Sequence, residues 1–348
     1  MVDMSRSILR GLALVSALLV GIGSATELHA ETLTPVKFRL DWVWQSPQSI
    51  WTLAYERGYF KEEGLDVTID RGYGSPDNMA VVAAGTYDIT FSDINYMAEF
   101  NTRNPASKLI SVFVVYDGLL ATVITRKGNG INTPKDLEGK VIGAPLGTGG
   151  RTLFPAFAKV NGIDEKKVSW QTISPQLQDQ QFAQGQFDAI AGFATTSLLN
   201  LKQLGVDRNT LTTFNFFNYG LDLYGSALIV RRDYAEANPE TLRKFLRVTM
   251  RGMKDMLADK KAAVLSLKKR DPMLNVDIEI DRLDLMIEMG LKTPSVDQYG
   301  VSYVDPVRMN RAMAIVADAF NLSPVPTVDD MFTDKYLPPA ADRRLKFD

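Results

Sequence analysis

Several clusters of aromatic and polar side chains in this 348-residue chain follow short apolar stretches and have the chemistry to bind a small molecule. The first cluster is Asp41, Trp42, Trp44 and Gln45, directly after the alternating stretch Val36–Leu40. Aromatic faces stack on flat rings, and carboxylate and amide groups hydrogen-bond ring edges. The cluster therefore favours a flat heterocyclic ligand. Because Trp42 and Trp44 alternate along an extended chain, we expect only one of them to face it.

A glycine-rich turn supplies a second cluster, which comprises Gly147, Thr148, Gly149, Gly150 and Arg151. It lies between a predicted strand and a predicted helix, where free backbone N–H groups attract anions. The guanidinium of Arg151 can pair with a carboxylate or a sulfonate. The turn matches neither a P loop nor a dinucleotide fingerprint. It therefore favours a sulfonate or carboxylate ligand, and the alternative is a tight turn with a solvated arginine.

The remaining candidate ligand-binding residues lie next to the ends of predicted strands: Ser92, Asp93, Tyr116, Asp117, Phe193, Thr195, Asp222 and Tyr224. Ligands of open α/β sheets bind outside the carboxyl ends of the strands. Ser92 and Asp93 have an alternative role, which is to cap the helix that follows them. Asp222 and Tyr224 line either a cleft or a hinge.

Composition excludes several classes of function. The formal net charge is −2, so no general attraction to nucleic acid is expected. The chain has no Cys, and its one His is His29. Beyond that position the commonest general base, the soft metal ligands and the thiol nucleophile are missing. We therefore expect no metal site, no cofactor and no enzyme activity. A carboxylate-only enzyme would need Asp41, Asp93 or Asp117, but their spacing identifies no mechanism.

Residues 1–30 are typical of a secretory signal peptide. Arg6 and Arg10 precede the apolar run Leu12–Ile22, which is shorter than the ~20 residues of a membrane span. We favour cleavage after Ala30, while cleavage after Ala25 remains open, and the alternative is an uncleaved anchor. Without Cys no lipid can be attached to a cysteine of the mature chain. We therefore expect a protein that diffuses freely in a periplasm.

The clusters require an α/β scaffold to position them. Alternation in Val36–Leu40, a helical pattern from Ile50 to Tyr55 and a second strand to Ile69 predict a strand–helix–strand unit with parallel, neighbouring strands. The pattern of helix, glycine, aromatic-Asp and strand occurs at Gly85–Phe91 and again at Gly185–Gly192. This similarity indicates two pseudo-repeated lobes. We expect the chain to cross between them near Thr125–Asn129 and Leu221–Gly225.

Three motifs resemble one protein family. Ala54–Val67 follows the pattern A-x-x-x-G-Y-F-x-x-E-G-L-D-V, Gly85–Asp93 reads G-x-Y-D-I-x-F-x-D, and Asp136–Gly143 reads D-L-x-G-K-x-I-G. They are similar to the periplasmic solute-binding proteins of ABC importers, in the group that binds alkanesulfonates, taurine and thiamine pyrimidine precursors. Leu40-Asp41-Trp42 is most similar to the binders of pyrimidine precursors. The resemblance covers roughly residues 35–320.

The resemblance implies a two-lobed, type II-like α/β fold, each lobe an open sheet with flanking helices. One lobe would comprise residues 31–126 with 224–348, and the other residues 127–223. It implies a monomer that closes by hinge motion on a small-molecule solute and delivers it to a permease. A periplasmic sensor that docks on a receptor is an alternative.

Ligand identity is less specified than the fold. Many relatives place a tryptophan and an acidic residue where this chain has Phe193, Thr195 and Thr196. We favour an aromatic heterocycle over an anion. Fungal pyrimidine synthases also resemble the group, but they consume a histidine, which the mature chain lacks if cleavage follows Ala30.

Overall fold

The computed structural model describes residues 32–347 of the chain. The expected strand–helix–strand unit is present at the start of these residues. The predicted signal peptide lies outside these residues. The two strands of the unit are parallel neighbours, with Val36 opposite Val67. The strands are β1 Thr34–Arg39, β2 Leu65–Asp70, β3 Ile89–Asp93, β4 Leu109–Val114, β5 Ala121–Arg126, β6 Val141–Ala144, β7 Ser169–Thr172, β8 Ala189–Phe193, β9 Leu211–Asn215 and β10 Ser226–Arg231.

Two five-stranded sheets are built on the same plan. The first has the order β2-β1-β3-β10-β4 and the second β7-β6-β8-β5-β9. In each sheet three parallel strands are followed by an antiparallel fourth strand, β10 in the first and β5 in the second. Each fourth strand joins its sheet directly after the chain has crossed from the other one. The two predicted lobes are therefore confirmed as two sheets of matching topology.

The pairing of β5 corrects the predicted first crossing. Thr125–Asn129 and the boundary at residue 127 would place this strand in the first lobe. It pairs instead with β8 and β9 of the second sheet. The first crossing is therefore residues 115–120. The predicted crossing was wrong because the sequence of an apolar, β-branched strand does not specify which sheet the strand will pair with. The chain returns through residues 216–225, which include the predicted Leu221–Gly225.

Helices cover both sheets. They are α1 Ser49–Glu56, α2 Tyr59–Glu62, α3 Ser75–Ala83, α4 Ile94–Arg103, α5 Gly149–Thr152, α6 Phe154–Val160, α7 Pro175–Ala183, α8 Ala194–Gln203, α9 Arg232–Ala237, α10 Pro239–Ala258, α11 Lys260–Lys268, α12 Val276–Met286, α13 Pro294–Tyr299, α14 Pro306–Phe320 and α15 Val328–Met331. A π-helical turn, Ile287–Leu291, follows α12. In residues 32–347 no helix has the length and apolar character that crossing a membrane requires.

Two helices from the C-terminal part of the chain touch both lobes. Helix α14 packs against α4 of the first lobe and α6 of the second. Helix α12 packs against α11 of the first lobe and α8 of the second. Its Leu283 and Met286 belong to the core of the first sheet, whereas Ile278 and Leu285 join a cluster with Leu198 of α8. The two lobes are thus held together by more than the two crossings.

Candidate functional site

A cavity of about 190 Å³ lies between the two sheets, at the carboxyl ends of β1, β3, β6 and β8. It is lined by Asp41, Trp42, Val43, Gln45, Gly74, Ser75, Asp93, Pro145, Gly147, Thr148, Gly149, Pro175, Gln176, Gln178, Asp179, Gly192, Phe193, Thr196, Ser197, Asn200 and Ser226. The structure thus brings together eight of the predicted residues: Asp41, Trp42, Gln45, Asp93, Gly147, Thr148, Gly149 and Phe193.

The backbone that carries Trp42 is fixed by the neighbouring loop. The amide of Gly72 donates to the Trp42 carbonyl, and the amide of Gly74 donates to the Asp41 carbonyl, both at 3.0 Å. The side chain of Asn78 donates to the carbonyl of Leu40 at 3.1 Å. The indole of Trp42 is therefore presented to the cavity by a braced turn. A fixed aromatic face costs little conformational entropy when a ring stacks on it.

Phe193 supplies a second aromatic face from the other lobe. It ends β8 and lines the cavity beside the glycine-rich turn. A side chain at Gly149 would meet the Phe193 ring at 2.1 Å. The glycine at this position therefore allows the aromatic ring to pack against the backbone of the turn.

Asp41 is the first of three carboxyl groups in the cavity. Gln48, which is fully buried, donates from Nε2 to Oδ1 of Asp41 at 2.6 Å. Burial nevertheless raises the pKa of Asp41 to about 6. The carboxylate is thus oriented by an amide and lacks a cationic partner among the residues that line the cavity.

Asp93 has two roles. One carboxylate oxygen, Oδ1, accepts from the backbone amides of Asn95 at 2.8 Å and Tyr96 at 3.1 Å, which caps helix α4 as predicted. The other oxygen, Oδ2, is buried and accepts no hydrogen bond from the described residues. Burial raises the pKa of Asp93 to about 6. Ser226, its partner in the adjacent strand, also lines the cavity with an unpaired buried hydroxyl. Polar atoms in this state gain from a ligand that hydrogen-bonds them.

Asp179 was missed by the sequence analysis. It lies on α7 and accepts from Nδ2 of Asn200 at 2.7 Å, and burial raises its pKa to about 6. Gln176 and Gln178 line the same wall. The sequence did contain a signal for Asp179. Helix α7 begins just beyond the carboxyl end of β7, and the other candidate residues were placed at the carboxyl ends of strands.

The two tryptophans of the first loop have different environments. Trp42 lines the cavity. Trp44 instead packs against the core of the first sheet, with the guanidinium of Arg270 5.9 Å from its ring centre. The expectation that one of the pair would face the cleft and the other would pack agrees with this arrangement.

The first three residues of the glycine-rich turn line the cavity, whereas Gly150 and Arg151 do not. The guanidinium of Arg151 donates to the carbonyl of Ala144 at 2.8 Å and to Oγ1 of Thr172 at 3.0 Å, and lies over the ring of Trp170. Gly150 packs on β8, where a Cβ would lie 2.3 Å from the amide of Gly192. Arg151 therefore does not line the cavity in this structure, and its pairing with an anionic ligand stays a prediction.

Four other predicted residues lie at the crossings rather than in the cavity. Arg308 of α14 donates to Oδ1 of Asp117 at 2.8 Å and to Oδ1 of Asp222 at 2.9 Å, and its guanidinium lies 4.0 Å from the centre of the Tyr224 ring. Tyr116 is buried, with its ring edge-on to Phe91. The ligand-binding role of Tyr116 and Asp117 was inferred from their position at a strand end, but this strand end leads into the first crossing. Asp222 and Tyr224 were expected to line either a cleft or a hinge, and they lie in the second crossing.

Ser92 and Thr195 are buried beside the cavity without lining it. Ser92 is fully buried, with an unpaired hydroxyl. The carbonyl of Thr195 accepts from Arg282, and the next residue, Thr196, lines the cavity instead. Thr196 donates to Oε1 of Gln45 at 3.1 Å, a hydrogen bond between the two lobes.

The charge of the cavity has one sign. Of the described residues that line it, Asp41, Asp93 and Asp179 are acidic, and none is Lys, Arg or His. Amide and hydroxyl groups make up most of the other polar lining. Such a site disfavours an anion and favours a ligand that offers hydrogen-bond donors. In residues 32–347 no group of three His, Cys, Asp or Glu side chains is arranged to hold a metal ion.

Comparisons with known proteins agree with this architecture. The sequence profile of the family described as NMT1/THI5 like matches residues 49–263. The riboflavin-binding protein RibY of Chloroflexus aurantiacus is 24% identical over 88% of this chain and 87% of its own length. A formylaminopyrimidine-binding protein of Halalkalibacterium halodurans is 25% identical over 74% of this chain and 78% of its own. A 4-amino-5-hydroxymethyl-2-methylpyrimidine phosphate synthase of Aspergillus parasiticus is 23% identical over 65% of this chain and 68% of its own.

A solved structure confirms the fold. The alkanesulfonate-binding protein SsuA of Xanthomonas axonopodis pv. citri, bound to MOPS, superposes with a TM-score of 0.66. The match covers 86% of this chain and 99% of that one, at 17% identity. At this identity the likeness concerns the fold alone. It agrees with the two-lobed binding-protein fold predicted from the sequence motifs.

Proposed function

The chain belongs to the NMT1/THI5-like family, and we propose that it is the solute-binding component of an ABC importer that captures a small aromatic heterocycle between its lobes. One observation carries this proposal. The cavity combines the aromatic faces of Trp42 and Phe193 with three carboxyl groups and no basic side chain among its described lining residues. A flat ring fits between aromatic faces, and ring N–H and amino groups are donors for carboxylates.

The names of two relatives support a heterocyclic ligand. Riboflavin and formylaminopyrimidine are both nitrogen heterocycles, and the proteins named for binding them match most of this chain. The alternative ligand is a sulfonate or carboxylate in the same cleft. It would need the cation of Arg151, which is bound to the second lobe away from the cavity.

The proposal includes a mechanism of capture. The lobes close by rotation at residues 115–120 and 216–225, and the mature protein works as a monomer in the periplasm. Pairing of β5 with the second sheet moves our proposed limits of the second lobe to about residues 121–215. Delivery to a permease and signalling to a receptor would use the same closure.

We propose binding without catalysis. The synthase of Aspergillus parasiticus is named as an enzyme, and the histidine chemistry expected of such enzymes has no residue to support it in residues 32–347, which contain no His. The three cavity carboxyls hydrogen-bond amides or cap a helix rather than facing one another as a defined acid–base pair.

The experiment is a titration of the mature protein, followed by tryptophan fluorescence and calorimetry. The compounds are riboflavin, 4-amino-5-hydroxymethyl-2-methylpyrimidine, taurine and MOPS. We expect saturable binding of a heterocycle, loss of that binding in Trp42→Ala and unchanged binding in Arg151→Ala. Binding of only the sulfonates, lost in Arg151→Ala, would overturn the heterocycle and support the anion. Chemical conversion of the bound compound would overturn the assignment as a non-enzyme.

A further inference from the structure

A buried arginine joins the two lobes behind the cavity. Arg282 lies on α12 and is 3% exposed, and its partner Glu279, one turn earlier, is 2% exposed. Nε of Arg282 donates to both carboxylate oxygens of Glu279, at 3.0 and 3.1 Å. This pair belongs to a helix connected through α11 to the first lobe.

The rest of the guanidinium is directed at the second lobe. Nη1 of Arg282 donates to the carbonyls of Thr195 at 2.5 Å and Thr196 at 3.0 Å, both in the first turn of α8. Nη2 donates to Oδ1 of Asn200 at 3.0 Å. A planar guanidinium can serve several acceptors at fixed angles, which an ammonium group cannot do. Arg282 therefore bridges one lobe to three acceptors on the other.

The same network reaches the cavity from both sides. Asn200 extends the hydrogen-bond network to the cavity, because its Nδ2 donates to Oδ2 of Asp179 in the cavity wall. On the first lobe, Oε2 of Glu279 accepts from the amide of Ser46 at 2.6 Å, next to the cavity residue Gln45. Gln45 in turn accepts from Thr196. The positions of Asp179, Gln45 and Thr196 are thus tied to the contact between α12 and α8.

Separating α12 from α8 would break only those hydrogen bonds of the network that join the two helices. Arg282 would keep Glu279 on its own helix but would lose Thr195, Thr196 and Asn200. Asn200 would then lose the group that orients its amide toward Asp179. Charge-assisted hydrogen bonds in a buried site are stronger than their exposed counterparts, so this contact stabilises the arrangement of the two lobes in the structure.

We propose that Arg282 is a positioning residue that couples occupancy of the cavity to closure of the lobes. A ligand that bonds Asp179 stabilises the orientation of Asn200, and Asn200 completes the acceptor set that holds Arg282 between the lobes. The inference rests on the proposed solute-binding function, and it adds the residue through which binding and closure support each other.

The test compares Arg282→Lys with the control Lys202→Met. The lysine variant keeps a charge beside Glu279 but cannot reach all the acceptors. Lys202 forms another ion pair between α8 and α12, with Asp281, but both side chains are about half exposed. Closure is read from spin labels on Tyr73→Cys and Leu146→Cys, since the chain has no cysteine and both residues are exposed. Calorimetry gives Kd for riboflavin and for 4-amino-5-hydroxymethyl-2-methylpyrimidine, and thermal melting checks folding.

We expect Arg282→Lys to bind the heterocycle at least tenfold more weakly and to show longer label distances with and without it. Lys202→Met should stay within twofold of the parent in Kd. If Arg282→Lys lowers only the melting temperature and leaves label distances and Kd unchanged, the role is structural and the inference is wrong. If no heterocycle binds the parent protein, the proposed function fails. Ligand-free label distances then test the lobe contact separately: unchanged distances in Arg282→Lys would overturn the inference, and longer distances would support the part of it that assigns Arg282 to holding the lobes together.

Discussion

A Cβ placed on Gly74 would lie 2.9 Å from the carbonyl oxygen of Gly147, across the mouth of the cavity. Gly74 belongs to the loop after β2 and Gly147 to the loop after β6, so the contact joins a loop of the first lobe to a loop of the second. Gly74 also has a φ of +100°, which side-chain-bearing residues rarely adopt. Close approach of the two loops therefore depends on the missing side chain.

We predict that Gly74→Ala weakens ligand binding at least tenfold, because the added methyl group keeps the lobes apart. Titration calorimetry measures Kd, and small-angle scattering with saturating ligand measures compaction. The matched control is Gly58→Ala, which also has a positive φ but no atom within 4 Å of the added Cβ. It should cost about 1 kcal/mol of stability and leave Kd unchanged. Equal Kd in the two variants would show that the contact does not limit closure.

The two tryptophans of the first loop give a second matched pair. Trp42→Ala should weaken binding of a heterocycle roughly 10- to 100-fold, because stacking of a base on an aromatic side chain contributes ~1–3 kcal/mol. Trp44 packs on the core away from the cavity, so Trp44→Ala should lower the melting temperature and leave Kd unchanged. Ligand quenching of fluorescence should persist in Trp44→Ala. Quenching that survives Trp42→Ala instead would reverse the assignment.

The buried carboxyl of Asp93 predicts a pH dependence of the ligand-free protein. Burial raises the pKa of Asp93 from 3.8 to about 6 in the folded state. Between these values the folded protein binds more protons than the unfolded chain, so the free energy of unfolding falls as pH rises from about 4 to 6. Above about pH 6 this contribution is constant and unfavourable.

Asp93→Asn should therefore stabilise the ligand-free protein at pH 7, by up to about 3 kcal/mol for a shift of ~2 pKa units, and flatten the pH profile. An asparagine retains an oxygen to cap α4. Urea unfolding at several pH values measures the effect. Asp207→Asn, at an exposed cap, serves as the control for replacing a capping carboxylate by an amide. An Asp93→Asn profile as steep as the parent's would assign the pH dependence to Asp41 and Asp179.

Local patterns predicted the elements well because each is determined by nearby residues. The strand–helix–strand unit predicted from Val36 to Ile69 is present with parallel, neighbouring strands, and the cap by Asp93 was anticipated from its place before a helical pattern. Trp42 and Phe193 reach one cavity because both lie at the carboxyl end of a strand. Sheet topology thus links short sequence signals to a shared site.

Long-range partners could not be predicted in the same way. Arg151 has the chemistry of an anion ligand, but its direction depends on the carbonyl of Ala144 and on Trp170. The sheet joined by β5 depends on pairing with β8 and β9, which its sequence does not encode locally. Asp179 acquires its role from Asn200, 21 residues further on. Each of these outcomes is decided by tertiary contacts.

One arginine of α14 joins the two crossings by hydrogen bonds. Arg308 bonds the carboxylate and the carbonyl of Asp117 in the first crossing and the carboxylate of Asp222 in the second. The side chains of Arg308 and Asp117 are 14% and 10% exposed. Removing the arginine leaves a mostly buried carboxylate without its cation. Arg308→Ala should therefore lower the free energy of unfolding by roughly 2–4 kcal/mol and loosen both crossings.

Arg311→Ala is the control, because Arg311 pairs with the other oxygen of Asp222 but is 58% exposed. An exposed pair contributes ~0–1 kcal/mol, so this variant should unfold close to the parent. Urea unfolding measures both, and hydrogen exchange reports residues 115–120 and 216–225. Faster exchange confined to these segments in Arg308→Ala would identify Arg308 as a brace of the hinge. Equal losses of stability in the two variants would instead show that Asp222, the partner they share, carries the effect and that burial of Asp117 does not.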